Sequence, residues 1–400
     1  MLMALHEIYP DAPIYTIFCK KGSSAGRAFG PSFAKASSGA KAMADMSAGK
    51  DVRVVESWFG RLPFCDKLIS PFRFLIPLIW ESFDFSQYDL VISSASWAIT
   101  KGFTGDRIRG GVKGEDRGRI KGKPKEICYC HTPPRYLYGY ETSRNWKKHW
   151  YFRLYALIVN HFMRMYDFNR AQKVSFFIAN SREVARRIEK FYRRNAVVIN
   201  PPVDIVNKFK VQSLKFKVNK EGYYLTGGRL EAAKNFDLII RACNKINIPL
   251  KVYGTGSQEG FLRSIAGKTV EFLGRVSEEE KNNLLKNCEA FIAAAADEDF
   301  GITPVEAMAA GRPVVAFKGG GYTETIVEGK TGVFFNDLTI EGVIGGIRET
   351  LLRSDIHRSF GGQVGGRGGG FKPEDCRKQA TKFSKERFKK EIEEFVKKNV

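Results

Sequence analysis

Two glutamates, Glu298 and Glu306, stand either side of a seven-residue gap, where an apolar strand-like run gives way to a helix-like one. Carboxylates at such a junction suit a ligand site, because ligands of open α/β sheets gather at the carboxyl ends of the strands. Two plainer readings stay open. Thr303 suits a helix cap, Pro304 the first helical position and Glu306 the third, which spells a capping box, and Glu298 reads equally as a solvated loop carboxylate. Arg229 and Lys234 follow Gly227-Gly228 near another helix start, a placement that suits a diphosphate gaining charge; taken singly, each is expected to form exposed salt bridges. Glycine turns follow strands at Gly254-Thr255-Gly256, Gly274-Arg275-Val276 and Gly319-Gly320-Gly321. The last can bring backbone N–H groups close to a phosphate, although a tight turn also uses glycine. His131 ends a strand-like run just before Pro133-Pro134, where it reads as a loop-mouth residue or as a core histidine.

The elements that must position these residues alternate between strand and helix, the pattern of parallel sheets covered by helices. In the first half, strands are predicted over Ile14 to Phe18, Val52 to Val55, Asp89 to Ser93, Lys125 to His131, Val174 to Ala179 and Ala196 to Asn200. Helices are predicted over Leu68 to Glu81, Tyr151 to Tyr166 and Arg182 to Tyr192. A new run of βα units starts at Tyr223 to Thr226 and continues with strands at Leu250 to Tyr253, Thr269 to Phe272, Ala290 to Ala294, Pro313 to Phe317 and Gly332 to Phe335. The expected domains are 1–206 and 223–382, joined by a linker over 207–222 and followed by an amphipathic basic helix over 383–400. Segments 22–50, 104–123 and 361–370 are rich in Gly, Ser, Ala or basic residues and read as surface insertions.

The chain has 400 residues, 43% hydrophobic and 13% aromatic, enough apolar material for two folded domains. A formal net charge of +22 favours anionic partners. No nucleic-acid-reading motif accompanies it, so nucleic acid is not expected and an anionic membrane surface is the better match. The basic stretch Arg182, Arg186, Arg187, Lys190, Arg193 and Arg194 reads either as a solvated face or as a dock for such a surface. The seven cysteines are scattered, which fits a reducing cytoplasm rather than a disulfide framework. Cys128 and Cys130 share one face of a strand while His131 points to the other, so they read as buried small hydrophobes and no metal site is expected. The most lipid-like segment, His149 to Tyr166, is interrupted by Arg153, His161 and Arg164, so membrane contact is expected to be peripheral.

The segment Glu298-Asp299-Phe300-Gly301-Ile302-Thr303-Pro304-Val305-Glu306 closely resembles the glutamate pair of glycosyltransferase family 4, and the other second-half motifs follow in that family's order. Tyr129-Cys130-His131-Thr132-Pro133-Pro134-Arg135 resembles the His-Thr-Pro signature of its bacterial mannosyltransferase-like members. The resemblance implies a GT-B fold, an α/β architecture of two Rossmann-like domains with a cleft between them and a C-terminal crossing helix. It implies a retaining, metal-independent transferase that takes a nucleotide-diphosphate sugar as donor substrate and needs no cofactor. Mannose from GDP-mannose, passed to a glycan or polyprenyl-linked acceptor at the inner face of the cytoplasmic membrane, is the expectation. Glu298, His131, Arg229 and Lys234 would be catalytic. Glu306, Gly254, Gly256, Arg275, Val276, Phe300, Gly301, Ile302, Gly320 and Gly321 would bind the donor. The alternatives are a nucleotide-sugar epimerase of the same fold and a non-catalytic protein that binds anions or nucleic acid. In the family a strand and a glycine-rich turn precede the helix that ends near Glu7 to Asp11, so the first strand is expected to be missing, leaving facing ladders unpaired.

Overall fold

A computed structural model of the chain describes residues 1–17, 53–69, 72–104, 124–140, 150–205, 222–359 and 370–400. Nearly all of the linker and of the three insertions named above lies outside these residues.

Helix α1 (Leu2–Ile8) precedes β1 (Ile14–Thr16) and β2 (Val54–Glu56), which pair in parallel. The stretch predicted as one helix over Leu68 to Glu81 is instead broken into α2 (Cys65–Leu68), a 3₁₀ turn (Arg73–Leu75) and α3 (Ile76–Glu81). Pro77 is tolerated in α3 because it occupies the first turn, where no N–H is needed. Then come β3 (Leu90–Ala95), β4 (Lys125–Cys130), α4 (Trp150–Lys173), β5 (Phe176–Ala179), α5 (Arg182–Tyr192) and β6 (Ala196–Val198). Helix α4 continues seven residues beyond the expected end at Tyr166, because Asp167 and Arg170 find buried partners there. Strands β3 to β6 form a four-stranded parallel sheet in chain order. Among the described residues β1 pairs only with β2, so the first half holds two separate sheets with no ladder between β1 and β3.

The second half runs β7 (Tyr224–Gly227), α6 (Phe236–Lys245), β8 (Leu250–Tyr253), α7 (Glu259–Ser264), β9 (Val270–Gly274), α8 (Glu278–Asn287), β10 (Phe291–Ala293), α9 (Ile302–Ala309), β11 (Val314–Phe317), α10 (Tyr322–Thr325), β12 (Gly332–Phe335) and α11 (Ile340–Ser359). Its six strands are all parallel, ordered β12-β11-β10-β7-β8-β9. Short apolar runs such as Val314–Phe317 are buried on both faces, which is what helices on both sides of a sheet require. The chain moves outward from β7 through β8 to β9, then returns to place β10 against the other side of β7. The β7–β10 boundary is therefore a topological switch point, where the loops leaving the two strands diverge and open a crevice.

Helices α12 (Pro373–Thr381) and α13 (Lys385–Asn399) close the chain. The predicted basic helix starts two residues later than expected, because Ser384 caps it through the Arg387 N–H. Phe383 packs edge-on to Phe300 in the second-half core, while Phe388 and Ile392 lie in a cluster with Tyr129, Ile178 and Ile199 of the first half. The break at Phe383-Ser384 is thus where the chain passes from one core to the other.

Candidate functional site

The loops leaving β7 and β10 carry the chemistry. Lys234, in a 3₁₀ turn before α6, reaches across the switch point to the carboxylate of Glu298 in an ion pair. The Tyr322 hydroxyl approaches the same Oε2 at 3.3 Å. Burial works against ionisation of Glu298, but the charges of Lys234 and Arg135 and the Tyr322 hydrogen bond outweigh it, so its pKa lies below the ordinary carboxylate value. Glu298 is therefore an anion held in a largely dry setting, not a solvated loop carboxylate. Thr226, Lys234, Glu298, Gly301, Ile302 and Tyr322 all line one cavity.

Glu306 does not cap its helix. Gly301, at φ +89°, is the N-cap of α9 and makes no side-chain cap bond, so Thr303 and Pro304 are already inside the helix. Glu306 instead faces Lys281 of α8, with Nζ 3.1 Å from Oε1. The same Ser/Thr-x-x-Glu spacing does form a capping box at Ser277, whose Oγ accepts from the Glu280 N–H at 3.1 Å while Glu280 accepts from the Ser277 N–H at 2.7 Å. The two segments differ in where the backbone turns: Gly301 takes the left-handed conformation two residues before Thr303, and the helix has begun by then.

The glycine turns pack side by side at the ends of β7, β8 and β9. The Gly228 N–H donates to Tyr253 O at 3.0 Å, the Leu230 N–H to Thr255 O at 3.1 Å, and the Gly254 N–H to Gly274 O at 2.6 Å. At Gly254, with φ +109°, a Cβ would stand 1.8 Å from Gly228 O, and one at Gly256 would stand 2.3 Å from Leu230 O. These glycines let three loops form one floor beside the cavity. Arg229 and Arg275 sit exposed on it, and Val276 is half-buried against the core. On the β11 side, a Cβ at Gly320 would meet Glu298 O at 2.4 Å and one at Gly321 would meet Phe300 Cα at 2.4 Å. The Gly321 N–H already donates to Glu298 O at 2.8 Å, so this turn holds the Glu298 loop in place. Phe300 has its ring in the core, leaving its backbone near the cavity, whereas the Ile302 side chain is exposed.

His131 belongs to the first half and is not among the residues that line this cavity. It follows β4, with Nε2 3.2 Å from Ser94 Oγ, and burial together with the positive amino terminus holds its pKa down at about 4, so the ring is neutral at pH 7. Cys128 and Cys130 are fully buried on the opposite face, their thiols pushed up by burial, as expected for small core residues.

The first half meets the site through residues that motif spacing did not single out. Arg135 Nη2 lies 2.9 Å from Asp299 Oδ1 and also donates to Asp297 O, and Arg187 Nη1 lies 2.6 Å from the same Asp299 oxygen. Ser181 accepts the Val184 N–H that caps α5 and donates to Asp299 O at 2.5 Å. Glu324 completes this clamp by accepting the N–H groups of Arg182 and Glu183, each at 2.8 Å, so a carboxylate of one half covers the amino end of a helix of the other. Arg135 and Asp299 flank recognisable motifs, and that adjacency was the available signal; Arg187 was read only as one of a basic stretch on a solvated or membrane-facing side, and Ser181 carried no signal. Of the basic stretch 182–194, Arg187 is buried here and Arg194 donates to four carbonyls of 171–175.

Residues 208–363 match the family model described as Glycosyl transferases group 1. The chain is similar to the alpha-1,3/1,6-mannosyltransferase ALG2 of Dictyostelium discoideum, 43% identical over 94 residues covering 21% of this chain and 22% of that one. It is also similar to the ALG2 protein of Candida glabrata, at 26% over 249 residues, 51% of this chain and 53% of that one. The chain thus spans at most about half the length of these relatives. Among solved structures, sucrose-phosphate synthase from Thermosynechococcus elongatus superimposes with a TM-score of 0.63 at 14% identity, over 97% of this chain and 96% of that one. Anabaena HepE in complex with UDP and glucose gives 0.59 at 16% identity, over 87% of each. The fold is GT-B. In this GT-B architecture the switch point of the second Rossmann-like domain lies against the loops of the first, and Asp299 takes contacts from Arg135, Arg187 and Ser181 there.

Proposed function

We propose that this chain is a retaining glycosyltransferase that transfers mannose from GDP-mannose to a glycan or polyprenyl-linked acceptor at the inner face of the cytoplasmic membrane. The observation that carries the reading is the ionised Glu298, paired with Lys234 at the switch point beside the glycine-loop floor. A donor diphosphate entering there draws Lys234 off Glu298 and gains Arg229 as a second cation. Glu298, freed, accepts hydrogen bonds from sugar hydroxyls and stabilises the positive charge that develops at the anomeric carbon. Glu306 takes the ribose hydroxyls in exchange for Lys281. The bond from anomeric carbon to phosphate oxygen breaks, the acceptor oxygen bonds to the same face of that carbon, and its proton passes to the leaving phosphate. Arg229 and Lys234 neutralise the negative charge that builds on the leaving diphosphate, as a metal would otherwise do, which is why the reaction is expected to need none. Similarity to the two ALG2 mannosyltransferases supports the choice of sugar.

The test is a thermal-shift screen of GDP-mannose, UDP-glucose and other nucleotide sugars, followed by radiolabelled transfer from the stabilising donor to a polyprenyl-linked acceptor with and without EDTA. Stabilisation by GDP-mannose and EDTA-resistant transfer are expected. Conversion of the donor into an isomeric nucleotide sugar without transfer would replace the reading by an epimerase. Salt-sensitive nucleic-acid binding with no donor binding would replace it by a non-catalytic role.

A further inference from the structure

Helix α4 leaves its largest apolar side chains outside while burying two charged ones. Its inward face mixes Ala156, Met163 and Ala171 with Asn160, Asp167 and Arg170, all buried, with Asp167 paired to the fully buried Lys101 and Arg170 paired to Glu81. Its outward face carries Trp150, Leu154, Leu157, Ile158, Phe162 and Met165, all 52% to 74% exposed. At 3.6 residues per turn these six fall on one side of the helix, with the exposed His161 among them and Arg153 and Arg164 along one margin. The patch extends onto the segment around α3, where Phe72, Phe74 and Leu78 are also exposed and where Arg73 Nη2 donates to Asn160 Oδ1 at 3.1 Å. Apolar area of this extent marks an interaction surface.

We infer that the outward face of α4 seats on an anionic lipid bilayer, with the helix lying in the interface. The margin arginines and the net charge of +22 complement anionic headgroups, whereas a second copy of the chain would bring the same charge against itself. Trp and Phe beside long aliphatic side chains are the composition of a helix that lies at this depth. It does not cross: no helix among the described residues is long and apolar enough to span a membrane. The buried Lys101–Asp167 and Arg170–Glu81 pairs tie the helix to the domain, so what touches the lipid is part of the folded body. The helix also braces the turn that bears Arg135: Asn160 Nδ2 donates to Tyr136 O at 3.3 Å, and Met163 packs with Leu137. A docked α4 therefore holds the Arg135–Asp299 contact close to the lipid surface; only the idea that a bilayer-borne acceptor is met there rests on the function proposed above.

The test is co-sedimentation of the full chain with vesicles of phosphatidylcholine, pure or containing about one quarter phosphatidylglycerol. Binding to the anionic vesicles is expected, and Leu157→Glu with Phe162→Glu should lower the partition coefficient at least about tenfold while thermal unfolding stays unchanged. The neutral pair Leu157→Gln with Phe162→Gln should show a smaller loss in the same direction and guards against a folding defect in the charged pair. Arg153→Ser with Arg164→Ser should flatten the dependence on salt. Failure of the unaltered chain to bind, or binding by the Glu pair equal to it, would overturn the inference. So would a dimer in sedimentation equilibrium that the Glu pair dissociates while vesicles are ignored. None of these readouts depends on sugar transfer.

Discussion

Arg187 Nη1 lies 2.6 Å from Asp299 Oδ1, joining a buried guanidinium of the first half to the residue next to Glu298 in the second. Arg135 reaches the same oxygen, so one carboxylate neutralises two cations across the boundary between the halves. Asp299→Asn should leave Arg135 without its carboxylate partner and Arg187 with Glu183 alone, and cost about 2–3 kcal/mol, less than the loss of a fully buried partner because Asp299 is still partly wetted. Denaturant unfolding would show the loss, and small-angle scattering should show a larger radius of gyration. An unchanged radius with unchanged stability would mean that the halves are held by other contacts.

Removing Lys234 should act on both sides of the proposed reaction. With Lys234→Ala, Glu298 loses its chief counter-charge and its pKa rises, while a diphosphate loses a charged donor. GDP affinity is expected to fall at least about tenfold by calorimetry, the loss of one charge-assisted hydrogen bond. The double substitution of Arg229 and Lys234 by Ala should abolish turnover. Wild-type GDP affinity in the single variant would remove Lys234 from the diphosphate site.

Glu306 has no capping role, so Glu306→Gln should weaken donor binding by about 1.5–3 kcal/mol with little change in stability. Lys281→Ala should move affinity the other way or leave it unchanged, because Lys281 competes for that carboxylate in the free protein. A drop in unfolding temperature with no change in affinity for Glu306→Gln would show that the Lys281 pair is structural.

Gly254→Ala should disrupt the floor of the site, since its Cβ would stand 1.8 Å from Gly228 O at a backbone φ of +109°. A destabilisation of about 3 kcal/mol or more and loss of nucleotide binding are expected, as both strain and a backbone clash must be relieved. Gly260→Ala, at a glycine with open space around it, is the control and should be tolerated.

The stability of the chain should depend on His131 at mildly acid pH. Its pKa is about 4 when folded against an ordinary 6.5, so the unfolded chain binds the extra proton first. Stability therefore falls as pH drops from about 6.5 to 4, by about 3 kcal/mol at most, and is unaffected above that window. His131→Asn should flatten the slope in denaturant titrations across that range; an unchanged slope would mean that the ring titrates normally.

The succession of strands and helices in the second half followed from the sequence because alternation of apolar runs with helix-length segments is a local property, whereas the order of the strands in the sheet did not. For the same reason Glu298 could be assigned to a strand's end and Lys234 to a helix start before their meeting was known. Glycine was legible as a type, but its purpose was not: that Gly254 makes room for Gly228 O, and Gly320 for Glu298 O, depends on which loops become neighbours. The Thr303–Glu306 and Ser277–Glu280 spacings are alike in sequence, and only the backbone turn at Gly301 separates a helix interior from a true cap. The Asp299 clamp was invisible because Ser181, Arg187, Glu324 and Asp299 are more than a hundred residues apart in some pairs and obey no local period. Helix α4 shows the limit most sharply. Its apolar and polar residues were plain to read, but that Asp167 and Arg170 turn inward while Leu157 and Phe162 stay outside depends on Lys101 and Glu81, partners from distant segments.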